Sequence, residues 1–322
     1  MMNLNAARIL SNLLALALLS GCSSSRSSEK IEPTVQLSVQ KCDVERKGSA
    51  FSPLSGDEKK TEWGRELMIA DRFAREMDLY RAVTSYKRAA ILAPPEETNR
   101  RWQIDFGIVQ SYYLAGKYCE AVNSFEESSL TTVNKTFPAL RDLLIILQES
   151  YDKIGEYSKS EEILKAISGN EPELSNALQL SIALQEGDLR CASQLAKGTP
   201  KSGPVSHLHF QYCRCRKSVR RAKTLNALLP GAGYAYVGQK RSAATSFFIN
   251  AAFIAATWHF FDRGNIGAGL ITASLETGWY LGGINGAGLA AKEYNEHLYN
   301  SLTIGMMMRN DLFPVLMLET CF

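Results

Sequence analysis

The stretch "ADRFAREMDLYRAVTSYKRAAILAPP", residues 70–95, decides the fold. Phe73, Ala82, Tyr86, Ala89 and Pro94 follow one another at intervals of 9, 4, 3 and 5. Steps of three and four keep Ala82, Tyr86 and Ala89 on one helix face, and Pro94 closes that helix. "GIVQSYYLAGKYCEAVNSFEES" (107–128) repeats the arrangement with Tyr112, Ala121, Phe125 and Ser128. "LQESYDKIGEYSKSEEILKA" (147–166) repeats it with Tyr151, Ser160 and Leu164, and "LSIALQEGDLRCASQLAKG" (180–198) is a weaker fourth copy with Ala183 and Ala192. The small residue recurs at 82, 121, 160 and 192, at spacings of 39, 39 and 32. Ala82 and Ala121 belong where two antiparallel helices cross closely. Gly116 and Gly155 fall where one helix must end in a left-handed residue. A single helix pair cannot bury its apolar stripe, whereas stacked pairs can.

The pattern resembles the tetratricopeptide repeat (TPR), with an aromatic on the first helix, a small residue opening the second, then an aromatic, a small residue and a closing proline. The family period is about 34, so the connections here are stretched. The resemblance implies an all-α, TPR-like α-solenoid over 62–198 whose groove holds a protein partner. The asparagine and basic positions that clamp a chaperone C-terminus in some family members are not evident. With 16 basic and 21 acidic residues, 62–198 favours a basic or mixed partner.

The chain of 322 residues carries a net charge of only +3, unevenly spread. Six of the ten residues from Arg214 to Lys223 are basic. This run suits a solvated face or anionic lipid; no recognition motif accompanies it, so nucleic acid is not expected as a partner.

"LNALLPGAGYAYVGQ", residues 225–239, is the other decisive stretch. Its glycines lack phosphate-loop spacing, and the basic residues before them do not form a buried strand. "SAATSFFINAAFIAATWHFF" (242–261) follows without one charge, long enough at about 1.5 Å per residue to cross a hydrocarbon core. After Asp262–Asn265, residues 266–291 are again apolar apart from Glu276. Two spans and a short turn predict a membrane-embedded helical hairpin over 224–296. Leu225, Leu228 and Leu229 would dip into the headgroups, with Tyr234 and Tyr236 at the water boundary. The small residues Ser274, Gly278, Gly282, Gly286 and Ala290 form a row for close helix packing, within the hairpin or with another copy or protein. Residues 224–296 resemble a bacterial two-helix membrane domain opening P-G-x-G-Q-x-Y-x-G; Pro230, Gly231, Gly233, Tyr236 and Gly238 match, while Tyr234 replaces the glutamine.

The N-terminus has Arg8, an apolar run from Ile9 to Leu19, and Leu19-Ser20-Gly21-Cys22. The run is too short to span, so it reads as a signal peptide. Its ending resembles the bacterial lipoprotein signal, which implies lipid on Cys22, cleavage after residue 21 and an envelope location with the solenoid on the periplasmic side. Ser23 favours the outer membrane by that resemblance, whereas spans favour the inner. Residues 22–61 are serine-rich and polar and read as a disordered tether, 199–223 as a basic connecting segment, and 297–322 as an apolar tail packing on solenoid or membrane or forming a short strand hairpin. An even number of spans leaves the basic run on the periplasmic side, against the usual charge bias. Partial insertion, a false lipid signal or a different span count would each remove that conflict.

No catalytic constellation stands out, and no cofactor is expected. His207, His209, Cys213 and Cys215 are a weak metal candidate whose spacing fits no standard finger. Glu276, with Asn250 and His259 as potential partners, is a candidate intramembrane polar site. The six cysteines besides Cys22 allow several disulfide pairings. The sequence thus points to a non-catalytic, membrane-anchored scaffold, with a transport or assembly component, or an enzyme, as the alternative.

Overall fold

The computed structural model describes residues 30–37 and 47–322. Cys22, the signal peptide and Cys42 lie outside the described residues. Among the described residues the chain is all-helical, with no strand. The described residues divide into two compact units, one formed within 35–206 with 304–322 and the other by 30–34 with 207–303.

The first unit is a row of helix pairs: α1 (Glu62–Arg75) and α2 (Leu79–Leu92), α3 (Thr98–Leu114) and α4 (Tyr118–Glu126), α5 (Leu140–Ile154) and α6 (Tyr157–Asn170), α7 (Pro172–Gln185) and α8 (Leu189–Leu195). Each helix packs on the next, and α3 also packs on α1 and α5. The turn inside each pair is built the same way. Met77, Gly116, Gly155 and Gly187 all have positive φ, from 60° to 87°. One residue later, the amides of Asp78, Lys117, Glu156 and Asp188 donate to the carbonyls of Phe73, Tyr112, Tyr151 and Ala183, each at 2.9 Å. These six-to-one bonds satisfy carbonyls that a helix end leaves open. Ala82, Ala121, Ser160 and Ala192 are all buried at the start of the second helices, so the recurring small residue marks the close crossing.

Between the pairs lie two connected cores. One is built on Leu67, Ala70, Ala82, Tyr86 and Ile104, the other on Phe106, Ile145, Ile146, Tyr151 and Leu178. Phe51 joins the second, with its ring 6.0 Å from Phe106 and 5.8 Å from Phe137. The expected tether is therefore shorter than the sequence suggested. Arg100 is nearly buried and donates to Glu58 and to the carbonyls of Ser52 and Pro53, tying 52–58 to α3. The guanidinium holds the Glu58 carboxyl down at about 2. A polar stretch without helical period lacks a signal for such docking, because isolated Phe51 and Arg100 supply it.

The second unit contains α10 (Val219–Leu228), the short α11 (Ala232–Val237) and α12 (Lys240–Asp262). Two further helices, α9 (Ser202–Cys215) and α13 (Ile266–Arg309), run through the boundary between units. The segment read as a basic connector is thus helical on both sides of a short break. That break is stapled: the Lys217 amide donates to Asn295 Oδ1 at 2.7 Å, and Asn295 Nδ2 donates to the Lys217 carbonyl at 2.8 Å. The glycine-rich elbow is α11 itself, bracketed by Gly231 at φ 92° and Gly238 at φ 98°. Asn226 Oδ1 accepts from the amides of Gly231 (2.9 Å) and Gly233 (3.3 Å), so those donors serve the turn and not a phosphate.

Of the two expected spans, one among the described residues, Lys240–Asp262, is long and apolar enough to cross a membrane. The second belongs to a 44-residue helix, so the expected boundary at 296/297 falls inside α13. Its glycines, Glu276 and Asn285 dilute the apolar run. The tail after α13 forms no strands. It makes one turn, α14 (Pro314–Met317), then runs extended to Phe322.

Candidate functional site

The last residues of the tail lie on the face formed by α1, α3 and α5. Asp142 on α5 is 2% exposed, and its carboxylate accepts from the amides of Glu319 (2.9 Å) and Thr320 (2.7 Å) and from the Thr320 hydroxyl (2.5 Å). Gln110 on α3, 1% exposed, donates to the Thr320 carbonyl at 3.3 Å. Arg75 on α1 donates to Phe322 O at 3.0 Å, and Arg141 to the Met317 carbonyl at 2.7 Å. Lys47 Nζ reaches the carbonyls of Val315, Leu316 and Leu318, and the Cys321 amide donates to Gly48 O at 2.9 Å. Leu318, Cys321 and Phe322 are buried. The Phe322 ring lies 6.3 Å from that of Tyr86, whose hydroxyl donates to Asp71 at 2.7 Å. Nearly every polar contact is to the tail's main chain. The face therefore reads an extended backbone, and Thr320 and Phe322 supply the side-chain chemistry.

Beside α14 opens a cavity of about 360 Å³, lined by Tyr113, Tyr118, Glu149, Lys153, Phe313 and Val315 among others. The Tyr113 hydroxyl donates to Glu149. Burial pushes the Glu149 carboxyl above its ordinary value, outweighing that hydrogen bond. A folded-state value raised above the unfolded one contributes stability that is present below about pH 4.5 and lost as pH rises through the folded value. Glu149→Gln keeps an acceptor for Tyr113 and never ionises. It is expected to flatten the decline in Tm as pH rises above about 4.5, leaving the variant above the parent at the alkaline end. Melting curves of both proteins across that range check it.

The residues singled out in the sequence are not brought into one site. Cys22 lies outside the described residues. His207, His209, Cys213 and Cys215 are on α9, and among the described residues no three His, Cys, Asp or Glu side chains are placed to hold a metal ion. Cys119, Cys191, Cys213, Cys215 and Cys321 are free thiols. Asn250 is buried, with Nδ2 donating to the Ser246 carbonyl at 2.5 Å, whereas His259 is exposed against Phe260. Ser246 Oγ, Asn250 Oδ1, Thr257 Oγ1 and Glu276 Oε2 are buried atoms without a hydrogen-bond partner among the described residues.

The small-residue row does not present one face to the rest of its unit. Ser274, Gly278 and Gly282 are exposed, a Cβ on Gly286 would meet the Tyr234 hydroxyl, and Ala290 is buried with Val219, Ala222 and Val237. Steps of four drift about 40° each around a 3.6-residue helix, so five positions wind through about 160°. Gly283, not Gly282, faces Asn226 and Ser246.

The docking residues Asp142, Gln110 and Lys47 were missed. Asp142 had a signal: "LRDLLIIL" puts a carboxylate on the stripe shared with buried Leu143, Ile145 and Ile146. A charge at a core position demands a partner.

Comparison with known protein families, curated proteins and solved structures finds no match to this chain.

Proposed function

We propose that the chain is a non-catalytic envelope lipoprotein, a TPR-like scaffold that docks a protein partner and is held at the bilayer by lipid on Cys22 and by the α12–α13 hairpin. The exposed apolar surface of that hairpin carries the reading. Phe248, Ile254 and Trp258 of α12 and Ile266, Leu270, Ile271 and Leu275 of α13 are each 55–68% exposed. Soluble monomers rarely expose contiguous apolar patches beyond a few hundred Å².

Two features of the chain path agree with it. The tail and α1–α8 belong to one unit, so the chain leaves that unit near 206 and returns near 304, a path that suits a hairpin better than a single crossing. The strip from Lys30 to Thr34 is tied to the part of α13 just beyond the apolar run. The Glu32 amide donates to Glu296 Oε1 at 2.9 Å, the Thr34 amide to Asn300 Oδ1 at 3.1 Å, and Lys292 pairs with Glu32 at 3.0 Å. From Cys22 to Lys30 an extended chain reaches at most about 29 Å. That reach suits a lipid and a hairpin that enter one bilayer from the same side.

The repeated turn bonds and buried small residues support the TPR-like reading of 62–198. Labelled palmitate is expected on the full chain and lost in Cys22→Ser. Crosslinked recovery of partners from membranes, with and without 62–198, tests the scaffold: unchanged partners would remove the helix pairs as the binding module. A second reading, transport or membrane assembly through Asn250 and Glu276, is favoured by the unpartnered polar atoms on α12 and α13. It requires Glu276→Gln to abolish an activity while partner recovery persists.

A further inference from the structure

We propose that the α1–α3–α5 face is a peptide-binding site whose resident ligand is the chain's own segment Leu318–Phe322, seated exchangeably. A peptide of the same chemistry, extended with Leu-x-Thr-x-Phe, takes its place.

The chemistry of Asp142 demands an occupant. With the tail gone, its nearly buried carboxylate loses three donors, and Arg141 Nη1 at 3.6 Å is left as its ion-pair contact. A buried charge stripped of its hydrogen bonds is strongly destabilising. The site therefore favours replacement of one strand by another over standing empty. What it asks for is specific: two successive backbone amides with a hydroxyl on the second residue, and an aromatic two residues later against Tyr86.

The manner of attachment favours exchange. Lys47, Arg75 and Gln110 are long side chains that contact the main-chain carbonyls of Leu318, Phe322 and Thr320, and any extended peptide supplies those. The helix pairs α1–α8 make a continuous series of neighbours without the tail. The tail leaves α13 through Asp311 at φ 51°, a left-handed conformation that non-glycine residues seldom adopt. The scaffold face is then self-covered, and a partner reaches it by supplying the same strand. This step rests on the scaffold reading only for its biological use, because the exchange itself is read on the chain alone.

Cys321 reports the seat. It is 6% exposed, and burial pushes its thiol up to about 11. The full-length mature chain in detergent is treated with iodoacetamide at pH 8, and alkylation of Cys321 is followed by peptide mass spectrometry. Amide exchange in α1 and α5 is followed alongside. A synthetic peptide of residues 313–322 carrying Cys321→Ser is expected to raise Cys321 alkylation at least about tenfold at saturation. The same peptide with Thr320→Val should be about tenfold weaker, through loss of one hydrogen bond to a charged group. In the full chain, Thr320→Val and Asp142→Asn are each expected to raise alkylation without peptide while α1 and α5 stay protected. If added peptide leaves the rate unchanged and Cys321 opens only with α1 and α5, the tail is a fixed part of the core and the proposal is wrong. Alkylation that slows with rising protein concentration, together with a dimer mass, would seat the tail on a second copy and overturn the intramolecular arrangement.

Discussion

Gly231→Ala is expected to destabilise the 207–303 unit by about 2–5 kcal/mol, from backbone strain added to overpacking. Gly231 sits at φ 92°, where an L-residue is strained whatever space surrounds it. A Cβ there would also lie 2.3 Å from the Ala243 carbonyl oxygen and 3.2 Å from its carbon. Those atoms are helix backbone in α12 and cannot rotate away, so α11 and α12 would have to part. Gly238 provides the control. Its φ is 98°, yet nothing lies within 4 Å of its would-be Cβ. Gly238→Ala should therefore show the strain alone, about 1–2 kcal/mol. Trypsin cleavage after Lys223 and Lys240 in detergent, read against the parent, separates the two. Equal cleavage in both variants would mean that the α11–α12 approach contributes nothing.

The helix pairs were legible because their signals are local. The acceptor positions Phe73, Tyr112, Tyr151 and Ala183, the left-handed glycines 116 and 155, and the small residues at 82, 121, 160 and 192 all act within about ten residues of one another. Met77 hid the first turn, because a non-glycine residue at φ 60° gives no compositional cue. The seat of the tail was illegible for the opposite reason. Asp142 meets Thr320 across 178 residues, through a carboxylate and two backbone amides that look the same in any sequence. The tail's apolar content announced burial but not its location. The small-residue row serves the packing of its own unit only at its end, because steps of four drift around a 3.6-residue helix; over sixteen residues that drift carries a row from one side toward the other. The second span is weakly marked because glycine permits close packing but adds little apolar area, so 266–291 is long without being strongly apolar, and Lys240–Asp262 alone among the described residues meets the length and hydropathy of a crossing helix.

The apolar surface of α12 is where the membrane reading is tested most severely. In a chain already carrying Cys22→Ser, so that lipid cannot hold it, the protein is expected to remain in carbonate-washed membranes. Ile254→Arg in that background should release it. Ile254 is 57% exposed and lies near the middle of Lys240–Asp262. An arginine at a helix centre costs about 2.5–3.5 kcal/mol in lipid, roughly a hundredfold or more in partition. Leu289→Arg is the depth control. Leu289 is 67% exposed, and it stands at the far end of the apolar part of α13 from the turn, where a long cationic side chain can reach the interface. It should leave the chain in the membrane fraction. A protein partner covering the same surface would reject both arginines alike, since its cost follows contact and not depth. Release by Leu289→Arg as readily as by Ile254→Arg would move this surface from the bilayer to an interface with another protein, and release by Cys22→Ser alone would leave the lipid as the anchor.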